Sequence, residues 1–197
     1  MGSGASKTGG SPPQSNGKPA TAAPNGAAPN GADAEANVVV DKRLPFSQFR
    51  ELFTMKNYWK TVRRNDKQCS KTMFFKYLKA NPENKMRYSN SSLYKLNLPT
   101  GFETIAASYL KVFDDVINIV EESPSDASSA CQRLSAVGKM HRTKVANMKF
   151  DDFQQLEAPF LYMIQEVLQD RYNDKAENLF RKFFQFCLKY ILEGFNS

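Results

Sequence analysis

From about residue 43 to the end of the chain, apolar residues recur every three or four positions. This spacing places them along one side of an α-helix, which has 3.6 residues per turn. The strict alternation of polar and apolar residues that marks β-hairpins does not occur in this part of the sequence. The pattern therefore predicts an all-α domain, but periodicity alone does not select one helical fold.

The first helices can be located from their apolar stripes and from proline. A first helix is expected over about residues 47–64. A second helix, around Phe74, must end or bend at Pro82, because proline has no amide hydrogen to donate. Pro99 suits the first turn of a long helix that should run to about Glu122.

Further helices follow toward the C-terminus. One has a stripe formed by Cys131, Leu134, Val137 and His141. Another covers about residues 153–167 and should bend at Pro159. The last begins near Asn173, a good N-cap residue, and Gly194 suits its end.

The first forty residues differ in composition from the rest. They contain no aromatic residue, five of the ten prolines and seven of the ten glycines. Such a segment buries too little apolar surface to offset the entropy lost on ordering. We therefore expect a disordered tail over residues 1–42 and one folded domain over residues 43–197.

The basic residues are distributed unevenly. The formal net charge is +7, and between Lys56 and Lys95 eleven Lys or Arg residues stand against two acidic residues. Such a region attracts anionic lipid surfaces, and a solvated basic face without a partner is the alternative. Because no nucleic-acid-binding motif accompanies the region, no nucleic acid partner is expected.

The cysteines and the apolar runs bear on location. Cys69, Cys131 and Cys187 lie far apart and form no CxxC pair, which predicts neither a disulfide framework nor a zinc site. No apolar run approaches the roughly 18 residues needed to span a bilayer, and the N-terminus lacks the apolar core of a secretory signal. The cytoplasm is the expected location.

The sequence begins with a lipidation pattern. Met1-Gly2-Ser3-Gly4-Ala5-Ser6 fits the M-G-x-x-x-[ST] pattern for N-myristoylation of Gly2. Tails rich in Gly and Ser also produce this short pattern by chance. Association with a membrane through Gly2 is thus a hypothesis that the pattern raises.

The order of residues along the predicted helices resembles the globins, in particular neuroglobin-like, nematode and other invertebrate intracellular globins. Trp59 matches the tryptophan of the first globin helix, and Pro82 follows 23 residues later, at the start of the C helix. Residues 112–116 resemble the second half of the E helix, and residues 137–142 resemble the end of the F helix. Residues 153–195 resemble the G and H helices.

This resemblance implies a globin fold of about seven helices around haem b, with iron held by His141. His141 is the only histidine of the chain. A single histidine on an apolar stripe is more often a core residue than a ligand, so the assignment depends on the register of the whole resemblance. Neutral imidazole is nevertheless a good iron ligand, and the stripe puts it on the buried side of its helix.

The resemblance also implies the residues of the haem pocket. Phe74 takes the B-helix position over the distal face, and Tyr88 takes a position that is normally phenylalanine. Ile105 takes the distal position that usually holds histidine or glutamine, and Tyr109 lies one turn later. A register shifted by one residue would put Thr104 at the distal position instead.

On the proximal side, the resemblance places Val137 one turn before His141. The turn after His141 is longer than in neuroglobins by about two residues. Val145 and Met148 are the candidates from this turn for contact with haem.

Three functions follow as expectations. The first is binding of oxygen or another diatomic gas for oxygen transport, storage, sensing or redox signalling, and this function is not enzymatic. The second is haem redox catalysis, such as nitrite reduction, nitric oxide oxidation or superoxide generation. The third is a cofactor-free interaction module at a membrane. The sequence leaves the oligomeric state open.

Overall fold

The computed structural model describes residues 38–85 and 99–197. The helices of these ranges are α1 (Phe49–Arg64), α2 (Asp66–Ala80), α3 (Pro99–Glu122), α4 (Ser128–Lys144), α5 (Phe150–Gln154), α6 (Glu157–Leu168) and α7 (Asp174–Asn196). Short 3₁₀ turns cover Pro82–Asn84 and Gln169–Arg171. The described residues contain no strand, so the predicted all-α class is confirmed.

The helix termini follow the local signals. The side chain of Asn173 accepts a hydrogen bond from the backbone N–H of Ala176 at 3.0 Å, which caps α7. Helix α2 ends at Ala80, and Asn81 alone separates it from Pro82, whose missing amide hydrogen prevents the helix from continuing.

One expectation needs correction. The sequence predicted a bend at Pro159, but the helix is interrupted earlier, at Gln155 and Leu156, between α5 and α6. Pro159 cannot donate to the Gln155 carbonyl four residues before it. The regular pattern resumes when Phe160 N–H donates to the Leu156 carbonyl at 2.9 Å. Because of Pro159, the Gln155 carbonyl lacks its usual helical donor, and the helix is interrupted at this residue.

Aromatic residues form the centre of the core. Trp59 on α1 is fully buried, and its ring centroid lies 6.3 Å from that of Phe160 and 6.2 Å from that of Phe180. Its indole N–H donates to the Asp114 carboxylate on α3 at 2.8 Å. Burial of each large side chain contributes about 1.5 to 3 kcal/mol, so this cluster ties α1, α6 and α7 together.

Helix α4 packs closely against α7. A Cβ atom added to Gly138 would overlap the backbone of Ile191 and Phe195, and one added to Gly194 would overlap the backbone of Ser135. Both glycines are therefore required by the approach of the two helices, not by backbone dihedral angles. This crossing lies three residues before His141.

Packed structure begins ahead of α1. Leu44 and Phe46 are buried in the core, and the backbone N–H of Asp41 donates to the Pro124 carbonyl at 2.8 Å.

In the described ranges, no helix is both long and apolar enough to cross a membrane.

Candidate functional site

His141 lies in the last turn of α4, with a specific hydrogen bond. Its Nδ1 atom is 2.9 Å from the backbone carbonyl oxygen of Val137, one turn earlier. A carbonyl oxygen can only accept, so Nδ1 must carry the hydrogen. In the neutral ring the lone pair is then on Nε2. The basic nitrogen is therefore the one that is not bonded to its own helix.

The surroundings of His141 favour that neutral ring. Burial lowers the pKa of His141, and the hydrogen bond with the Val137 carbonyl opposes this effect only in part. The Phe153 ring packs edge-on against the imidazole at a centroid distance of 5.3 Å, and Phe195 packs in the same way on Phe153 at 5.1 Å. The imidazole is thus oriented by one backbone acceptor and one aromatic ring.

The segment after His141 turns away from the helix. Val145 ends α4 in an extended conformation, and Val145 and Met148 are both half-buried. Asn147 adopts the left-handed region with φ of 56°, which asparagine tolerates better than most residues. Val137 itself is buried.

A second group of predicted residues lies on α2 and α3. Phe74 is fully buried, and its ring centroid lies 5.4 Å from that of Tyr109 and 5.2 Å from that of Phe102. Ile105 is 2 % exposed and lies one turn after Phe102 on the same side of α3. The inner side of α3 opposite α2 is therefore aromatic and apolar.

Tyr77 extends this aromatic group toward the 3₁₀ turn. Its ring centroid lies 6.3 Å from that of Tyr109, and its hydroxyl accepts a hydrogen bond from the buried Asn84 side chain at 2.9 Å. The Tyr77 hydroxyl is therefore paired with a buried amide beside this aromatic group.

No family model matches the chain, and no curated protein matches it. Among solved structures, similarity extends over the folded part. A hexacoordinated heme protein from an anhydrobiotic tardigrade, solved at pH 4, has a TM-score of 0.70 and 23% identity over 80% of this chain and 99% of its own. The hemoglobin of the botfly Gasterophilus intestinalis has a TM-score of 0.61 and 15% identity over 75% of this chain and 98% of its own.

The chain has the globin fold. Of the residues predicted for the site, Phe74 lies on α2, Ile105 and Tyr109 lie on α3, and Val137 and His141 lie on α4. Phe74 on α2 packs against Tyr109 on α3. Val137 and His141 form a second pair, which is hydrogen-bonded within α4.

Burial along α3 distinguishes Ile105 from its neighbour Thr104. Ile105 and Ala106 are buried, whereas Thr104 is exposed and lines a groove on the outer side of the helix. The assignment of Ile105 to the distal position stays a prediction. Two other predicted site residues, Tyr88 and Gly2, lie outside the described residues.

Sequence reasoning missed several contacts. The sequence does not single out Phe153, yet its ring packs against the imidazole of His141. It also does not indicate that Phe102 belongs to the group around Phe74. The one usable signal was spacing, since Phe102, Ile105 and Tyr109 share one helical side.

Two surface grooves are separate from these groups. One of about 610 Å³ lies between α1, α2 and α3, and another of about 550 Å³ lies beside α6 and the start of α7. Neither is lined by His141 or Ile105. In the first groove Arg63 pairs with Asp114 at 2.6 Å and Lys71 pairs with Glu103 at 2.6 Å, so opposite charges already neutralise one another there.

The chemistry of the donor atoms limits what metal site is available. Within residues 38–85 and 99–197, no group of three or more His, Cys, Asp or Glu side chains converges on a point where a metal ion could bind. A porphyrin provides four nitrogen ligands to iron and needs only an axial ligand such as a histidine from the protein.

Proposed function

We propose that this chain binds haem b, that His141 is the axial ligand of the iron, and that the complex binds oxygen or another diatomic gas in the cytoplasm. The observation that carries the proposal is the hydrogen bond from His141 Nδ1 to the Val137 carbonyl, which leaves Nε2 with its lone pair. The printed names of the two similar structures, a heme protein and a hemoglobin, support the same cofactor.

Each residue has a defined part in this proposal. When bound, haem supplies iron with a coordination position for a gas. His141 would provide one nitrogen ligand, and the Val137 carbonyl and the Phe153 ring hold the imidazole in one orientation. Ile105 and Phe74 are buried and would help to exclude water from the site, because neither side chain has a polar atom.

The single histidine also limits coordination. The similar tardigrade protein is named as hexacoordinated, but this chain has one histidine and cannot supply a second imidazole within one molecule. Ile105 cannot donate a hydrogen bond to a bound gas. Loss of such a bond weakens oxygen binding by roughly tenfold to a hundredfold relative to an otherwise similar pocket with a donor.

A second candidate function is haem redox catalysis, and the apolar Ile105 favours it. Without a donor at that position, an oxygen complex is stabilised less, and a short-lived oxygen complex suits turnover with nitrite or nitric oxide. The rates of autoxidation and of nitrite reduction distinguish the two functions, because storage requires a long-lived oxygen complex.

Titration of the purified chain with haemin tests the proposal. We expect an intense Soret band at one equivalent in the wild type. His141→Ala should keep its helical circular dichroism but retain haem poorly, and added imidazole should restore part of the spectrum. Normal haem content and an unchanged spectrum in His141→Ala would rule out this ligand. Absence of a Soret band in the wild type would leave the cofactor-free interaction module.

A further inference from the structure

The segment ahead of α1 holds the turn that leads into α4. We call residues 41–46 the latch. Its second half is fixed in the core by Leu44 and Phe46, both buried. Its first half lies against residues 123–127, the turn between α3 and α4. The latch therefore joins the N-terminal end of the domain to the start of the helix that carries His141.

Asp41 contacts this turn with both its backbone and its side chain. Its N–H donates to the Pro124 carbonyl at 2.8 Å, and its Oδ2 accepts from the Ala127 N–H at 2.8 Å. Ala127 is the N-cap position of α4, where backbone N–H groups lack partners within the helix. The Asp41 side chain is only 11 % exposed, so water competes little for these bonds.

Arg43 adds a second connection to the same helix end. Its Nη2 donates to Asp126 Oδ1 at 3.0 Å and to Ser128 Oγ at 3.0 Å. It also donates through Nε to the Asp41 carboxylate at 3.1 Å. The guanidinium holds the pKa of the Asp41 carboxyl well below its usual range, and the Ala127 N–H acts in the same direction. The two latch residues thus reinforce one another.

The other end of α4 is fixed separately. Gly138 lies against the backbone of α7, and Arg142 donates to the backbone carbonyls of Phe195 at 3.1 Å and Ser197 at 3.0 Å. The stretch from Ser128 to His141 spans about 20 Å of continuous helix. Asp41 and Arg43 thus hold the start of α4, and Gly138 and Arg142 hold the end that carries His141.

We propose that Asp41 is a positioning residue for His141, which acts by fixing the start of α4. This inference rests on the proposed function, because it concerns where the imidazole stands relative to iron. A simple capping role would stabilise only residues near Ala127. A positioning role requires that loss of the Asp41 contacts changes the environment of His141, about 20 Å along the helix.

The experiment uses the full-length chain with Asp41→Ala, Asp41→Asn and Asp41→Glu, and with Asp170→Ala as the matched control. Asp170 is an exposed carboxylate in the 3₁₀ turn before α7. Asp41→Asn keeps the size of the side chain and remains informative if Asp41→Ala folds poorly. Hydrogen exchange of the haem-free protein and the iron–imidazole stretching band of the ferrous haem complex are measured for each variant.

We expect Asp41→Ala to increase exchange along α4 as far as Val137–His141 and to shift the iron–imidazole band, with Asp41→Glu restoring both in part. Haemin dissociation should become faster by at most roughly tenfold, the ratio that corresponds to one charge-assisted hydrogen bond. Asp170→Ala should resemble the wild type in all measurements.

Two results would overturn different claims. Faster exchange confined to residues 124–130, with an unchanged iron–imidazole band, would show that Asp41 only caps the helix. If the wild type binds no haemin, the proposed function fails. The exchange data for Val137–His141 then still decide whether Asp41 positions that part of α4.

Discussion

Ile105 and Thr104 are adjacent in the chain but have opposite environments. Ile105 is buried on the inner side of α3, and Thr104 is exposed on its outer side. Because successive residues of a helix are about 100° apart, a shift of one residue exchanges an apolar pocket residue for a surface residue. Single substitutions at these two positions therefore test the register directly.

We predict that Ile105→His gives the haem complex a second nitrogen ligand. The deoxy-ferrous protein should show the sharp, split visible bands of six-coordinate low-spin iron, which the wild type should lack. Thr104→His is the matched control, and its side chain should remain in solvent. Visible absorption spectra measure both. The opposite outcome, with bands only in Thr104→His, would mean that the E-helix register is shifted by one residue.

The lowered pKa of Asp41 predicts how the stability of the protein changes at acidic pH. Its folded pKa lies below the ordinary value of 3.8, because of the Arg43 guanidinium first and the Ala127 N–H second. Above the ordinary value both the folded and the unfolded states are ionised, so the full stabilisation is present. As pH falls below it, the unfolded state takes up a proton first, and the stabilisation is lost progressively toward the folded pKa. The pKa of Asp126 is lowered as well, first by the Ser128 hydroxyl and N–H and then by Arg43.

The measurement is urea unfolding of the haem-free wild type and of Asp41→Asn over a pH series. The difference in their free energies of unfolding should be constant near neutral pH and should shrink below about pH 4. A difference that grows with acidity would contradict the sign of the pKa shift.

At the scale of helices, the crossing of α4 with α7 is the most constrained contact near His141. Alanine has the higher helix propensity by about 1 kcal/mol, which alone would favour Gly138→Ala. The added Cβ would overlap backbone atoms of Ile191 and Phe195, which cannot rotate away. Such overpacking costs about 1 to 3 kcal/mol or more, so the steric term should exceed the propensity term.

We predict that Gly138→Ala lowers the free energy of unfolding by about 2 kcal/mol and accelerates haem loss, because α4 must move away from α7 beside His141. Gln132→Ala is the control, since Gln132 is exposed on the same helix and its substitution should leave stability within about 0.5 kcal/mol. Denaturant unfolding and haemin transfer to a scavenger protein provide the two readouts. Equal stability of Gly138→Ala and wild type would show that the helices can separate at no cost.

The helices differ in how far their sequences predicted them. Helix α3 was predicted from Pro99 to about Glu122, and the structure has it over Pro99–Glu122. Its predicted start depends on a local signal, the proline. The Gly138 crossing was not predicted, since it depends on which helix lies opposite. The interruption at Gln155 was also missed, because the proline signal identifies a lost hydrogen bond but not where the chain turns.

In the candidate site, too, features with a local signal were predicted and features that depend on packing were not. The stripe that carries His141 is a local pattern, and the sequence identified it. The Asp41 contacts join residues 86 positions apart, and nothing near Asp41 in the sequence indicates Ala127 as its partner. Contacts of this kind become visible only when the packing of the helices is known.

At the scale of the whole molecule, acidic residues from elsewhere in the chain partly offset the basic excess between Lys56 and Lys95. Of the basic residues between Lys56 and Lys95, Lys56, Arg63 and Lys71 form ion pairs with acidic residues of α3. Lys60 and Arg64 are exposed on the last turns of α1. Attraction to an anionic surface should therefore depend on such exposed residues.

We predict that Gly2 is myristoylated and that membrane binding requires both the acyl chain and this exposed charge. One myristoyl chain gives only marginal binding, on the order of 10⁴ M⁻¹, and each basic residue near an anionic surface adds about 1 kcal/mol.

Gly2→Ala should abolish sedimentation with vesicles that contain phosphatidylserine. In the acylated protein, Lys60→Glu combined with Arg64→Glu should weaken it by roughly tenfold or more. Lys175→Glu combined with Lys189→Glu makes the same charge change on α7 and should have a smaller effect. Equal losses for the two pairs would mean that net charge alone drives binding, and unchanged sedimentation of Gly2→Ala would refute the anchor.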